Sequence, residues 1–246
     1  MYTLRNAPQR ENERSLSQKA PLGSFYIAPD GRQFRYARNG AVALSGAVLV
    51  QVGVGVLSAD TIGLNAAAPF NGDGLTVGAK AVGVPVVNNN YAANTFTEGY
   101  IGGGTAASGL LGRIGGHGAL VAAAANDIYF LDPLNAVITS GAGRTNLLAN
   151  PYSAVIVCPA SGPSRAVMGA TQFAISANEY FWLLVQGVCH IHHTATPVEG
   201  SAVTPSLTVA GAVDPATAYA ATTIHVGVVI GFHANNAASC WVNLRV

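Results

Sequence analysis

Apolar and polar positions along this chain alternate with a period of two, the repeat of an extended strand. They nowhere hold the 3.6-residue period of an amphipathic helix over a useful length. Val50, Val52, Val54 and Val56, for example, alternate with Gln51, Gly53 and Gly55. Residues 23–27 and 33–37 flank the turn Ala28-Pro-Asp-Gly31, which predicts a hairpin. Short apolar segments then recur at 47–56, 80–87, 95–102, 119–124, 127–131, 136–139, 153–157, 179–188, 191–194, 223–232 and 241–246. Gly, Pro and Asn clusters such as residues 69–74 and 88–90 separate them. Residues 121–125 also fit a single helical turn, which Gly118 and Asp127 would stop from growing.

Strands this short and this regularly punctuated define an all-β chain built as one or two small β-barrel or sandwich units. Residues 1–22, polar and without periodicity, read as an extended N-terminal arm. An N-terminal β region at 23–150 and a C-terminal one at 151–246 follow, either separate or packed as one body. The segment Ala81-Val-Gly-Val-Pro-Val-Val-Asn88 is echoed by His225-Val-Gly-Val-Val-Ile-Gly-Phe232. An internal repeat and chance recurrence in a Val/Gly-rich chain fit that echo equally well.

Composition sharpens the picture. Only 9% of the 246 residues are charged, against about 25% in an average soluble protein. Either a neutral Ser/Thr/Asn surface or burial of the exterior against copies and neighbours explains this, and so low a charge favours the second. Residues 1–38 carry seven basic and three acidic groups, a net of +4, and the other 208 residues carry five and eight, a net of −3. Acids interrupt the basic end and no aromatic-plus-basic surface follows it. Arg5, Arg10, Arg14 and Lys19 are therefore expected to dock an acidic protein surface, with no nucleic-acid partner. The first 20 residues contain no apolar run of the kind a secretory signal needs, so the chain is expected to remain in the cytoplasm where it is made. The uncharged window 39–59 has strand alternation, so no membrane span is expected from it. Cys158, Cys189 and Cys240, odd in number and widely spaced, read as buried free thiols.

The chemistry-bearing motifs are few. Gly102-Gly-Gly-Thr105 and Gly112-Arg-Ile-Gly-Gly-His-Gly118 lack the spacing of a phosphate-binding loop and read as flexible or turning loops. After residue 38 the acids stand singly, mostly in turns such as those holding Asp73, Asp132 and Asp214, which leaves no pair for acid–base catalysis. His190 and His192 share one face of a strand beside Cys189 and His193. Surface or interface histidines are the expected role; a two-imidazole metal site is the weaker alternative, because no third ligand stands at a recognised spacing. Phe181 and Trp182 read either as a sugar-stacking platform or, preferably, as a pair straddling the sheet with one ring in the core and the other at an interface. No cofactor is expected.

From Asn150 onward the order of motifs is informative. It runs Asn150-Pro-Tyr-Ser-Ala-Val-Ile-Val157, Tyr180-Phe-Trp-Leu-Leu-Val-Gln-Gly187, Glu199-Gly-Ser-Ala-Val-Thr-Pro-Ser206, Ala210-Gly-Ala-Val-Asp214 and Ile224-His-Val-Gly-Val-Val-Ile230. This order resembles that of structural proteins of tailed phages, and Gly31-Arg-Gln-Phe-Arg-Tyr-Ala37 resembles their opening strand. The resemblance implies an all-β subunit present in many copies, typically as homotrimers at threefold positions of a shell, with no catalytic residues. The expected role is that of a capsid decoration, or cement, subunit: a non-enzymatic virion component on the capsid exterior, with the major capsid protein and itself as partners. A tail or fibre adhesin that binds a cell-surface glycan is the first alternative and a polysaccharide-active enzyme the second. The stretch Gly187-Val-Cys-His-Ile-His-His193 departs from the small, apolar pattern of those proteins, so its histidines are a feature of this chain.

Overall fold

The computed structural model describes residues 3–4, 9–53, 62–63, 81–85, 90–105, 108–121, 125–132, 144–216, 224–232 and 239–246. All regular structure among them is strand, and the chain forms two compact units, Met1–Val54 with Pro151–Val246, and Gly55–Asn150. The first unit begins with β1 (Thr3–Leu4), β2 (Arg14–Ser15), β3 (Phe25–Ile27), β4 (Gln33–Arg38) and β5 (Leu49–Val52). The second contains β6 (Ile62–Gly63), β7 (Ala81–Pro85), β8 (Tyr100–Thr105), β9 (Ser108–His117), β10 (Ala125–Phe130) and β11 (Arg144–Leu148). The first then resumes with β12 (Val155–Val157), β13 (Val167–Ala170), β14 (Tyr180–His192), β15 (Ala202–Pro205), β16 (Val213–Pro215), β17 (Gly227–Phe232) and β18 (Ser239–Arg245). Residues 23–54 thus belong to the same unit as 151–246. The expected strand at 136–139 lies outside the described residues.

In the first unit β5 and β12 are antiparallel neighbours, with Val52 opposite Val155 and Val50 opposite Val157. The second unit is therefore an insertion between two directly paired strands, and the Arg165 guanidinium donates to the Gly53 carbonyl where the chain leaves β5. The sheet path runs β1-β3-β4-β14-β18-β17-β15-β16, with β2, β5, β12 and β13 off it, and does not close into a barrel.

The spine of this unit is β14, which pairs with β2, β4, β13 and β18. Its first half is apolar at both parities, so it buries both faces. Trp182 and Leu184 join a core with Phe34, Tyr36, Leu49 and Val242, while Phe181 and Leu183 join another with Leu44, Val50, Val155 and Ile175. Each such side chain contributes roughly 1.5–3 kcal/mol when withdrawn from water. The register against β4 slips between Leu184 and Gln186, a bulge that reverses which parity faces inward. Beyond it Cys189 and Ile191 enter the first core and Gln186, Val188 and His190 face out. Gly187 sits in this reversal at φ +112°, and a Cβ there would press on the Arg32 side chain at 2.9 Å. The sequence pattern reads 179–188 and 191–194 as two strands; they form one, because the ladder with β18 runs unbroken from Gln186 to His192.

The arm differs from its expectation. Residues 9–22 are turns, bends and irregular segments around the two-residue strand β2, and they lie against their own unit. Gln9 is 5% exposed; its carbonyl accepts from Trp182 Nε1 at 2.8 Å and its side-chain Oε1 from the Tyr36 hydroxyl at 3.1 Å. Lys19 N donates to that same hydroxyl, and Arg14 and Ser15 pair with Phe181 and Tyr180. The sequence signal was weak because this segment contributes polar caps to buried aromatic rings and brings no apolar face of its own.

The second unit is an antiparallel sheet in the order β6-β11-β8-β9-β10-β7. The glycine-rich stretches expected to be loops form the β8–β9 hairpin, with Gly102 opposite Leu111 and Ile101 opposite Gly112. A Cβ on Gly112 would lie 3.0–3.2 Å from the Phe130 ring and the Ile101 side chain, so glycine here admits two core residues. Residues 93–98, where the strand expected at 95–102 would begin, are turns with Asn94 and Glu98 at positive φ. His117 secures them: its Nδ1–H donates to the Gly118 carbonyl at 2.6 Å, which leaves Nε2 to accept from Phe96 N at 3.0 Å. Burial lowers its pKa and keeps the ring in the neutral form this requires. The V-G-V echo is not a structural repeat among the described residues, since β17 pairs with the next strand β18, whereas β7 pairs with β10.

Candidate functional site

The second half of β14, with β18 and β17, presents one open sheet face. Cross-strand rows place Val188 beside Asn243 and Val228, His190 beside Trp241, and Gln186 beside Arg245. Val228, Val188, Ile230 and Trp241 are 42–51% exposed. On the first half of β14 the corresponding side is covered by the core of Phe181, Leu183 and Val50; past the bulge that cover stops. The three strands carry a single charged side chain, Arg245. Four half-exposed apolar side chains on a nearly uncharged sheet are what an interface looks like before its partner is in place.

The residues expected to act are distributed unevenly over this architecture. His190 is on the open face, its ring 5.1 Å from that of Trp241, and His192 is half-buried on the same side opposite Ser239. Cys189 points the other way, into the core. Phe181 and Trp182, one of which was expected at an interface, are both fully buried, each in a different core. The exposed aromatic of this face is Trp241, four residues before the last strand ends, which the sequence reading did not single out; the alternation Cys240-Trp-Val-Asn-Leu-Arg245 is the signal that could have found it. Two of the arm's cations pair with acids of the chain itself, Arg14 at a half-exposed position and Arg10 at one that is 83% exposed. Arg14 contacts Glu179 at 3.5 Å and donates to the Ala174 carbonyl, and Arg10 lies 3.9 Å from Glu13. Lys19 makes no ion pair among the described residues, and Arg5 lies outside them. The acids that interrupt the basic arm are thus partly its own counter-ions: Glu11 also pairs with Arg32, which in turn holds Asp30 at 2.6 Å.

Among the described residues no group of three or more His, Cys, Asp or Glu side chains is placed to hold a metal ion. Burial pushes the thiols of Cys158 and Cys189 up to about 12 and that of Cys240 up to about 11, Cys189 being raised further by Cys240 beside it; these are packing residues and poor nucleophiles. The uncharged window 39–59, read as strand, carries β5 at Leu49–Val52, and no helix among the described residues is long and apolar enough to cross a membrane. No protein-family model, curated protein or solved structure matches this chain.

Proposed function

We propose that this chain is a non-enzymatic structural subunit of a tailed-phage particle, a decoration protein that covers the capsid exterior as a homo-oligomer in contact with the major capsid protein. The observation that carries the reading is the open face of β14, β18 and β17, where Trp241 and three aliphatic side chains stand half-exposed on strands with one charge among them. The low overall charge and the order of motifs from Asn150 onward support it. With Arg14 bound to Glu179 and the Ala174 carbonyl of its own unit, the main attachment is assigned to this face. Each subunit bridging its neighbours adds many weak contacts, which together resist expansion of a shell without any deep pocket.

The test is self-association through that face. By light scattering at micromolar concentration the intact chain should be an oligomer, a trimer being expected. Trp241→Lys, an exposed position that leaves the core untouched, should shift it to monomer with a melting temperature nearly unchanged. A wild-type monomer, or a variant that associates as strongly as the wild type, would contradict the reading.

A further inference from the structure

The first unit also contains a cleft of about 360 Å³ that adjoins the open face at Gln186 of β14 and at Val246, the residue after β18. Its apolar lining consists of Val167 and Met168 of β13, Val185 of the bulge and Val246. Its polar wall consists of Gln33 and Arg35 from β4 and Gln186 from β14, and Gln33 stands directly opposite Gln186 in the ladder. Aromatic rings border it at Phe25 and Tyr152. The bulge and the slip in register between β4 and β14 open this space, and the same irregularity presents both glutamine side chains to it.

Three features of the polar wall define a ligand. Arg35 is held in place, its guanidinium 4.8 Å from the centre of the Phe25 ring and Nη1 donating to the Gly23 carbonyl at 2.9 Å. No carboxylate among the described residues pairs with it. A half-buried, pre-oriented guanidinium without a counter-ion favours an incoming carboxylate, which it can bind through two parallel N–H donors. The amides of Gln33 and Gln186 have no side-chain hydrogen-bond partner among the described residues, and each supplies both a donor and an acceptor. A bare carboxylate only accepts, so it would leave the two amide oxygens unused; hydroxyl groups donate and accept, and match them. The apolar lining and the bordering rings suit the C–H face of a saturated ring, and the volume is in the range of small-molecule sites.

We propose that this cleft binds a carboxylate-bearing sugar, a uronic or sialic acid unit, with Arg35 on the carboxylate, Gln33 and Gln186 on hydroxyls, and Met168 against the ring. Gln186 also stands in a cross-strand row of the assembly face beside Arg245, so the cleft adjoins that face at its edge.

The chain contains two methionines, and Met168 reports on the cleft directly. In full-length protein labelled at the methionine methyl groups, titration with D-glucuronate and with N-acetylneuraminate should move the Met168 signal. A dissociation constant on the order of 1 mM is expected for a single sugar of this size. D-glucose, without the carboxylate, and glutarate, without the hydroxyls, should each bind at least about 10-fold more weakly. Arg35→Gln should weaken glucuronate binding by about 10-fold or more, and Gln186→Ala, at an exposed position that leaves the core intact, by about 3- to 10-fold. A Met168 signal unmoved by both acidic sugars would overturn the proposal. So would equal binding of glutarate, which would point to an acidic protein side chain, or unchanged affinity in both variants.

Discussion

Removing residues 1–22 is expected to destabilise the first unit strongly. The segment supplies the Gln9 carbonyl to Trp182 Nε1, the Gln9 side chain and the Lys19 amide to the Tyr36 hydroxyl, and the β2 pairing along Tyr180 and Phe181. Its loss strands two polar atoms on rings packed against each other at 5.0 Å in the main core. A buried donor or hydroxyl left without a partner costs about 1–3 kcal/mol, and uncovering the rings adds to this. Set against a total stability of roughly 5–15 kcal/mol, a loss of at least about 3 kcal/mol should appear as a large fall in melting temperature or a failure to fold. Gln9→Ala keeps the carbonyl and the Lys19 amide, so it should cost only about 1–3 kcal/mol. A truncated chain that melts where the intact one does would show that the segment is a tether and no part of the fold.

The second large effect is one of tolerance. Replacing residues 55–150 with a short Gly/Ser linker should leave the first unit folded, because β5 and β12 already pair in register and hold the two ends of the excised segment together. Loop-closure entropy favours the shorter connection, by about 0.6 kcal/mol for each halving of loop length. The excised protein should unfold cooperatively and keep Trp182 buried, as read by its fluorescence. An insoluble product, or one without a cooperative transition, would mean that the second unit is required for the first to form.

The sequence made the strands of the first unit legible wherever one face is buried, as at β18, where Cys240, Val242 and Leu244 alternate with Trp241, Asn243 and Arg245. It misled where the cause of order lies outside local periodicity. In the first half of β14 both faces are apolar, so alternation cannot say which ring is inward, and the structure buries both Phe181 and Trp182. The β8–β9 hairpin looks like loop because it is rich in glycine, and at Gly112 the glycine lets Phe130 and Ile101 approach, a reason visible only from the facing strand. Gln9 reads as arm because its role is to cap two rings that lie 27 and 173 positions further along the chain. The insertion leaves no trace in composition, since both units are built from the same Val-, Ala- and Gly-rich strands. Of the site, His190 was legible on the open face, while the cleft was not: it depends on a bulge that sets Gln33 across from Gln186.

Copy number is the most direct measure of the central reading. In purified particles that contain this chain, quantitative protein gels or mass spectrometry should find it at an abundance comparable to the major coat protein, as a subunit covering the shell requires. A count of only a handful per particle would contradict that reading and would instead fit an adhesin at the tail.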